Sequence, residues 1–184
     1  MNAGAIASRY AKALLDYVME RGSGETVYDQ ACMLMKMMEQ VPLLKEVLAR
    51  RKDISHEKRM EVIQTALGGR MAVEFDRFVG LLETNSRMEF IDRMIWSFIH
   101  QYRKANNIVT GHLVTAVDAP ELKEKMTALF AEKTGADVRM EMKTDPDLIG
   151  GFIFEMDGKL VDASVSTQLR RLRKELVDTG KRII

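Results

Sequence analysis

The spacing of apolar residues changes period once along this chain, near residue 106, and that change limits the possible folds more than any motif does. Up to about residue 105 the period is that of a helix. Ile6, Tyr10, Ala13, Leu14 and Tyr17 recur on one face of a first helix that should stop near "RGSG". Val27, Ala31, Leu34 and Met38 mark a second helix, and Pro42 can open a short third, "PLLKEVLA", at a first-turn position. Ser55 is placed to cap a fourth helix carrying Met60, Ile63 and Leu67, which Gly68-Gly69 should end. Phe75, Phe78, Val79 and Leu82 form a fifth stripe closed by "TNS"; Met88, Ile91, Ile95, Phe98 and Tyr102 form a longer sixth. Residues 1–105 are therefore expected to form a six-helix bundle.

After Asn106-Asn107 the period drops to two. Val109, Gly111, Leu113, Thr115 and Val117 alternate with more polar neighbours, as do Val138, Met140 and Met142 with Arg139, Glu141 and Lys143. Pro120 opens a helix that Gly135 should close, and Asp157-Gly158 suits the turn of a hairpin, "GFIFEM-DG-KLVD". A last helix carries Val165, Leu169, Leu172 and Leu176 on one face. The fold class expected is mostly α: a helical bundle over 1–105, then a small α+β module over 106–184.

Composition narrows the functional classes. Residues 1–106 carry 16 basic and 14 acidic side chains and residues 107–184 carry 12 and 13, so neither half has the charge excess that draws a domain to nucleic acid or an anionic membrane. One cysteine, Cys32, cannot form an internal disulfide, which fits a reducing compartment. The N-terminus "MNAGAIASRYAKALL" reads neither as a signal peptide nor as a transit peptide. No segment approaches the roughly 18 uninterrupted apolar residues of a membrane span, so a membrane role would run through partners.

No catalytic or metal constellation assembles. Gly150-Gly151 leads into "FIF", not into the Lys-Ser/Thr of a phosphate loop, and enters a strand where a dinucleotide fingerprint enters a helix. The pair reads as backbone freedom or close backbone approach. "DPDLIG" has acids at the first and third positions of a calcium loop, but Ile149 and Met156 stand where the fifth and twelfth ligands belong. Asp145, Asp157, Asp162 and Ser164 read as turn and cap residues. His56, His100 and His112 have no ligand spacing, and Cys32 has no catalytic partner. Arg170, Arg171, Arg173 and Lys174 make a basic helical cluster that reads as a solvated face or a protein-partner patch. Four methionines in "CMLMKMM" read as core filling. Tyr10, Ala13, Leu14 and Tyr17 mix small and aromatic groups on one helix face, a surface able to hold a partner's apolar helix in a groove.

Two stretches carry a resemblance. "ASRYAKALLDYVMERG" resembles the opening helix of bacterial ATP synthase delta subunits, relatives of the mitochondrial oligomycin-sensitivity-conferring protein. "LIGGFIFEMDGKLVDASVSTQLRRL" resembles that family's more diagnostic C-terminal motif, with Gly150, Gly151, Asp157, Gly158, Asp162 and Ser164 as its structural residues. The order and spacing of the helices agree over essentially the whole chain. Arg9 stands where many relatives have proline, and the only tryptophan, Trp96, lies in the sixth helix, not after the first. The resemblance implies a non-catalytic stator subunit on the cytoplasmic face of the bacterial plasma membrane, without cofactor, small-molecule substrate or nucleic acid. It implies that the bundle grips the N-termini of the alpha subunits in a groove where Tyr10, Ala13, Leu14 and Tyr17 face Phe75, Phe78, Val79 and Leu82. It implies that the C-terminal module joins the b subunits of the peripheral stalk. The alternatives read from the residues are a nucleic-acid-binding or adaptor protein using the basic last helix, and a small enzyme using the Asp145–Asp162 loop.

Overall fold

The computed structural model describes residues 3–49, 54–156 and 158–180. It is mostly helical with one small sheet, and divides into two compact units, Met1–Ala105 and Asn106–Ile184.

The described part of the first unit holds α1 (Ala3–Arg21), α2 (Gly24–Gln40), α3 (Pro42–Ala49), α4 (His56–Ala66), α5 (Val73–Thr84) and α6 (Ile91–Ala105). The stripe expected to open the sixth helix at Met88 begins instead as a 3-10 turn, Met88–Phe90. Its tighter winding buries Met88 before the α-helix starts at Ile91. Ser55 caps α4, its hydroxyl accepting from the Lys58 amide at 3.4 Å. Gly68, at φ +65°, lets the chain leave that helix.

The apolar stripes converge on a core in which Leu34, Leu48, Ile63, Phe75, Leu82, Ile95 and Phe98 have almost no exposure. α6 packs against α1, where Ala7 and Ala11 keep the helices close, and Gln101 Nε2 donates to the Ser8 carbonyl at 3.2 Å. Against α2, the Tyr28 and Tyr102 rings stack at 4.7 Å between centroids. Gly24 makes room for them: a Cβ there would sit 2.9 Å from the Tyr102 ring.

Two polar ties fix α5. Gln30 of α2 donates to the Arg70 carbonyl at 3.1 Å and accepts from the Ala72 amide at 2.9 Å, anchoring the residues that lead into the helix. Near its other end Glu83 pairs with His56 and with Arg59 of α4. Arg59 is 4% exposed, so its charge is held in the interior by that carboxylate.

The second unit comprises β1 (Ile108–Thr115), α7 (Pro120–Thr134), β2 (Asp137–Thr144), a 3-10 turn (Pro146–Leu148), β3 (Phe152–Met156), β4 (Lys159–Asp162) and α8 (Val165–Gly180). The sheet order is β2-β1-β3-β4. β1 and β2 run parallel, joined by α7, because parallel neighbours need a crossover; β1–β3 and β3–β4 are antiparallel. Val117, expected to continue the first strand, lies beyond it and is 70% exposed. The core joins Leu113, Val138, Met140 and Phe154 to Leu122, Met126 and Phe130 of α7. The Phe130 and Phe154 rings stack at 4.6 Å. α7 ends on Gly135, left-handed at φ +64°.

Candidate functional site

α1 and α5 border an open, largely apolar groove of about 410 Å³. Ile6, Arg9, Tyr10 and Ala13 line it from α1; Leu81, with Asn85 and Arg87 just beyond α5, line the other side. Ile6, Arg9, Tyr10 and Ala13 recur at spacings of three and four residues, so one face of α1 supplies that wall. Farther along, Arg77 of α5 donates to the Tyr17 hydroxyl at 2.7 Å, linking the two helices.

The residues expected to form this surface separate into two groups. Ala13 is exposed and Tyr10 and Tyr17 are half-buried, so all three can meet a partner. Leu14 turns inward and is 3% exposed. Phe75, Phe78, Val79 and Leu82 are also interior, none more than 5% exposed. The expectation that they face a partner is corrected: their periodicity marks the face of α5 that serves the bundle core. The α5 side chain that does line the groove is Leu81, 46% exposed. The sequence held one signal for it. At about 100° per residue, Leu81 points about 110° away from the mean direction of Phe75, Phe78, Val79 and Leu82, so it falls outside their core stripe.

Trp96 is out of phase in the same way, about 130° from the mean direction of Ile91, Ile95, Phe98 and Tyr102. It is 57% exposed, lies against His100 with ring centroids 4.0 Å apart, and borders a second groove with Gly4, Ala7 and Met35. Burial pushes the Cys32 thiol above its ordinary value. Burial also raises the Tyr28 hydroxyl, whose oxygen accepts from Arg103 Nε at 2.9 Å. Both groups stay protonated packing elements at neutral pH. Among the described residues no group of three or more His, Cys, Asp or Glu side chains is placed to hold a metal.

The glycine-rich motif of the second unit builds a junction. Gly151 has φ +73°, and a Cβ there would lie 2.2 Å from the Ala163 carbonyl oxygen. That approach allows two backbone bonds, Ala163 N–H to the Phe152 carbonyl at 2.9 Å and Val165 N–H to the Gly150 carbonyl at 3.0 Å. They press the strand entry against the start of α8. Ser164, fully buried, accepts from the Thr167 amide at 3.3 Å and so caps that helix. Asp162 accepts from the Ser164 hydroxyl at 2.6 Å, the Ser164 amide at 2.9 Å and the Thr167 hydroxyl at 2.8 Å. Those bonds, the Ser164 hydroxyl first, hold its carboxyl below the ordinary 3.8. Gly158 turns between β3 and β4 at φ +72°. Asp157, expected beside it in that turn, lies outside the described residues. The Asp145 side chain accepts from the Asp147 amide at 3.0 Å, which starts the 3-10 turn.

Beyond Thr167, α8 is exposed as far as Leu176, including Leu169, Leu172 and Leu176 on one face and the basic Arg170, Arg171, Arg173 and Lys174.

Comparison with known proteins agrees with a partner-binding, non-catalytic architecture. Residues 6–176 match the family model described as ATP synthase delta (OSCP) subunit. The chain is 37% identical over 185 residues to ATP synthase subunit delta of Phocaeicola vulgatus, covering 100% of each chain. It is 31% identical over 187 residues to that of Bacteroides thetaiotaomicron, again over 100% of each. A chain of the cryo-EM structure of the Toxoplasma gondii mitochondrial ATP synthase hexamer shares its fold, with a TM-score of 0.59 at 18% identity over 93% of this chain and 97% of that one. A match spanning both units and nearly every element described above leads to one conclusion: the chain belongs to the ATP synthase delta (OSCP) subunit family, whose members are non-catalytic structural subunits.

Proposed function

We propose that residues 1–105 hold the catalytic head by binding the N-terminal segments of the alpha subunits, and that residues 106–184 join the b subunits of the peripheral stalk. Membership of the family makes the chain a stator-type subunit that associates with other ATP synthase subunits. None of its described helices is long and apolar enough to cross a membrane, which fits a peripheral subunit. In this reading it works at the cytoplasmic face of the membrane. Torque on the head must be resisted by a link to the membrane sector, and such a link needs extensive, slowly dissociating interfaces and no chemistry.

The observation that carries the head contact is the open apolar groove between α1 and α5, whose half-buried Tyr10 and exposed Ala13 and Leu81 suit the apolar face of a helix. The stalk contact is supported by α8, whose exposed Leu169, Leu172 and Leu176 keep one face open over about two turns. An amphipathic helix of this length gains most of its stability from packing that face against another element.

The test is titration of the full-length protein with a synthetic peptide of the alpha subunit's N-terminal segment. Leu81→Glu should weaken binding about tenfold or more, since burying a leucine contributes about 1.5–3 kcal/mol and a carboxylate there must also be desolvated. Its melting curve should be unchanged, because Leu81 is not a core residue. A folded Leu81→Glu protein that binds as tightly as the parent would sink the assignment.

A further inference from the structure

We infer that the α1–α5 groove selects an amphipathic helix whose apolar stripe is flanked by carboxylates. This rests on the groove reading above and adds the partner's charge. Two of the lining residues are arginines, Arg9 on α1 and Arg87 beyond α5; none is Asp or Glu. Among the described residues neither guanidinium has a hydrogen-bond or ion-pair partner. Three other arginines of this unit are engaged: Arg59 with Glu83, Arg77 with the Tyr17 hydroxyl, Arg103 with the Tyr28 hydroxyl.

In the free protein water solvates Arg9 and Arg87. A helix laid into the slot would strip that water from the side of each guanidinium facing it. A charge that loses hydration without a partner costs free energy, so a neutral or basic helix is penalised. A carboxylate beside the apolar stripe replaces the water with a charge-assisted, bidentate-capable bond. Apolar contact with Tyr10, Ala13 and Leu81 supplies affinity; the two arginines supply discrimination and register.

Two model peptides would test this, sharing one leucine-alanine stripe and differing in whether glutamate or glutamine flanks it. Their binding to the full-length protein is followed by anisotropy of a label on the peptide. The glutamate peptide should bind about tenfold tighter at low salt. That preference should shrink to about twofold or less in the Arg9→Gln/Arg87→Gln double variant. It should shrink likewise in the parent near molar salt, where the Debye length is about 3 Å. Equal binding of both peptides to the parent, with Leu81→Glu weakening both, would overturn the charge selection and leave the groove standing. If Leu81→Glu leaves binding unchanged, the groove reading fails and takes this inference with it. No binding of the glutamate peptide, or self-association of the protein abolished by the double variant, would also overturn it, the latter by giving the slot to a second copy.

Discussion

Replacing Gly151 by alanine should damage the second unit far more than one added methyl group suggests. Two effects add. At φ +73° an L residue is strained by about 1 kcal/mol relative to glycine. The new Cβ would also stand 2.2 Å from the Ala163 carbonyl oxygen, a backbone atom that cannot rotate away. The strand entry and the start of α8 must then separate, which breaks the Ala163–Phe152 and Val165–Gly150 backbone bonds at about 1 kcal/mol each. The sum is about 3 kcal/mol or more, a large share of the 5–15 kcal/mol by which domains are stable. Gly158→Ala is the control: it has the same left-handed φ, but its Cβ would meet nothing within 4 Å, so only the strain of about 1 kcal/mol applies. The readout must see the second unit. Trp96 and all four tyrosines lie in residues 1–105, so aromatic fluorescence reports the first unit only. Amide hydrogen exchange at Ala163 and Val165, followed through a urea titration, would report the second. If Gly151→Ala costs no more than Gly158→Ala, the close approach is not what the glycine is for.

Asp162 should make the second unit acid-sensitive. Its folded pKa is depressed, so its contribution is present above the ordinary carboxylate value of 3.8 and is lost as pH falls through the lower folded value. The gap in urea midpoint between the parent and Asp162→Asn should therefore be widest near neutrality and close in acid; a gap independent of pH would contradict this. In the first unit, Gly24→Ala would push a methyl to 2.9 Å from the Tyr102 ring and disturb its stack on Tyr28. Here Trp96 fluorescence is the right probe, and a loss of about 1–3 kcal/mol is expected from overpacking; no loss would mean the ring shifts freely.

What could be read from the sequence was local. Turn chemistry at Ser55, Pro42 and Gly135, and the switch of period near residue 106, depend on dihedral preferences and on which residues avoid water. Neighbours along the chain decide both. The groove was legible only in part, for a physical reason. Periodicity identifies the face of α5 that leaves water, and for Phe75, Phe78, Val79 and Leu82 that face belongs to the bundle's own interior. Exposed Leu81, with half-buried Arg87 just beyond α5, becomes a groove wall only because Gln30 and Arg59 hold α5 where its outer face adjoins α1.

The second unit divides the same way. Alternation identified strands but not their order, since a period of two is satisfied by any neighbour; the order β2-β1-β3-β4 follows from a parallel crossover and a sheet core packed on α7. The sequence by itself determined that Gly150-Gly151 is neither a phosphate loop nor a metal loop, because the ligand residues are missing. Only the tertiary structure decided why glycine is needed there: the Ala163 carbonyl, distant in sequence, occupies the space a side chain would fill.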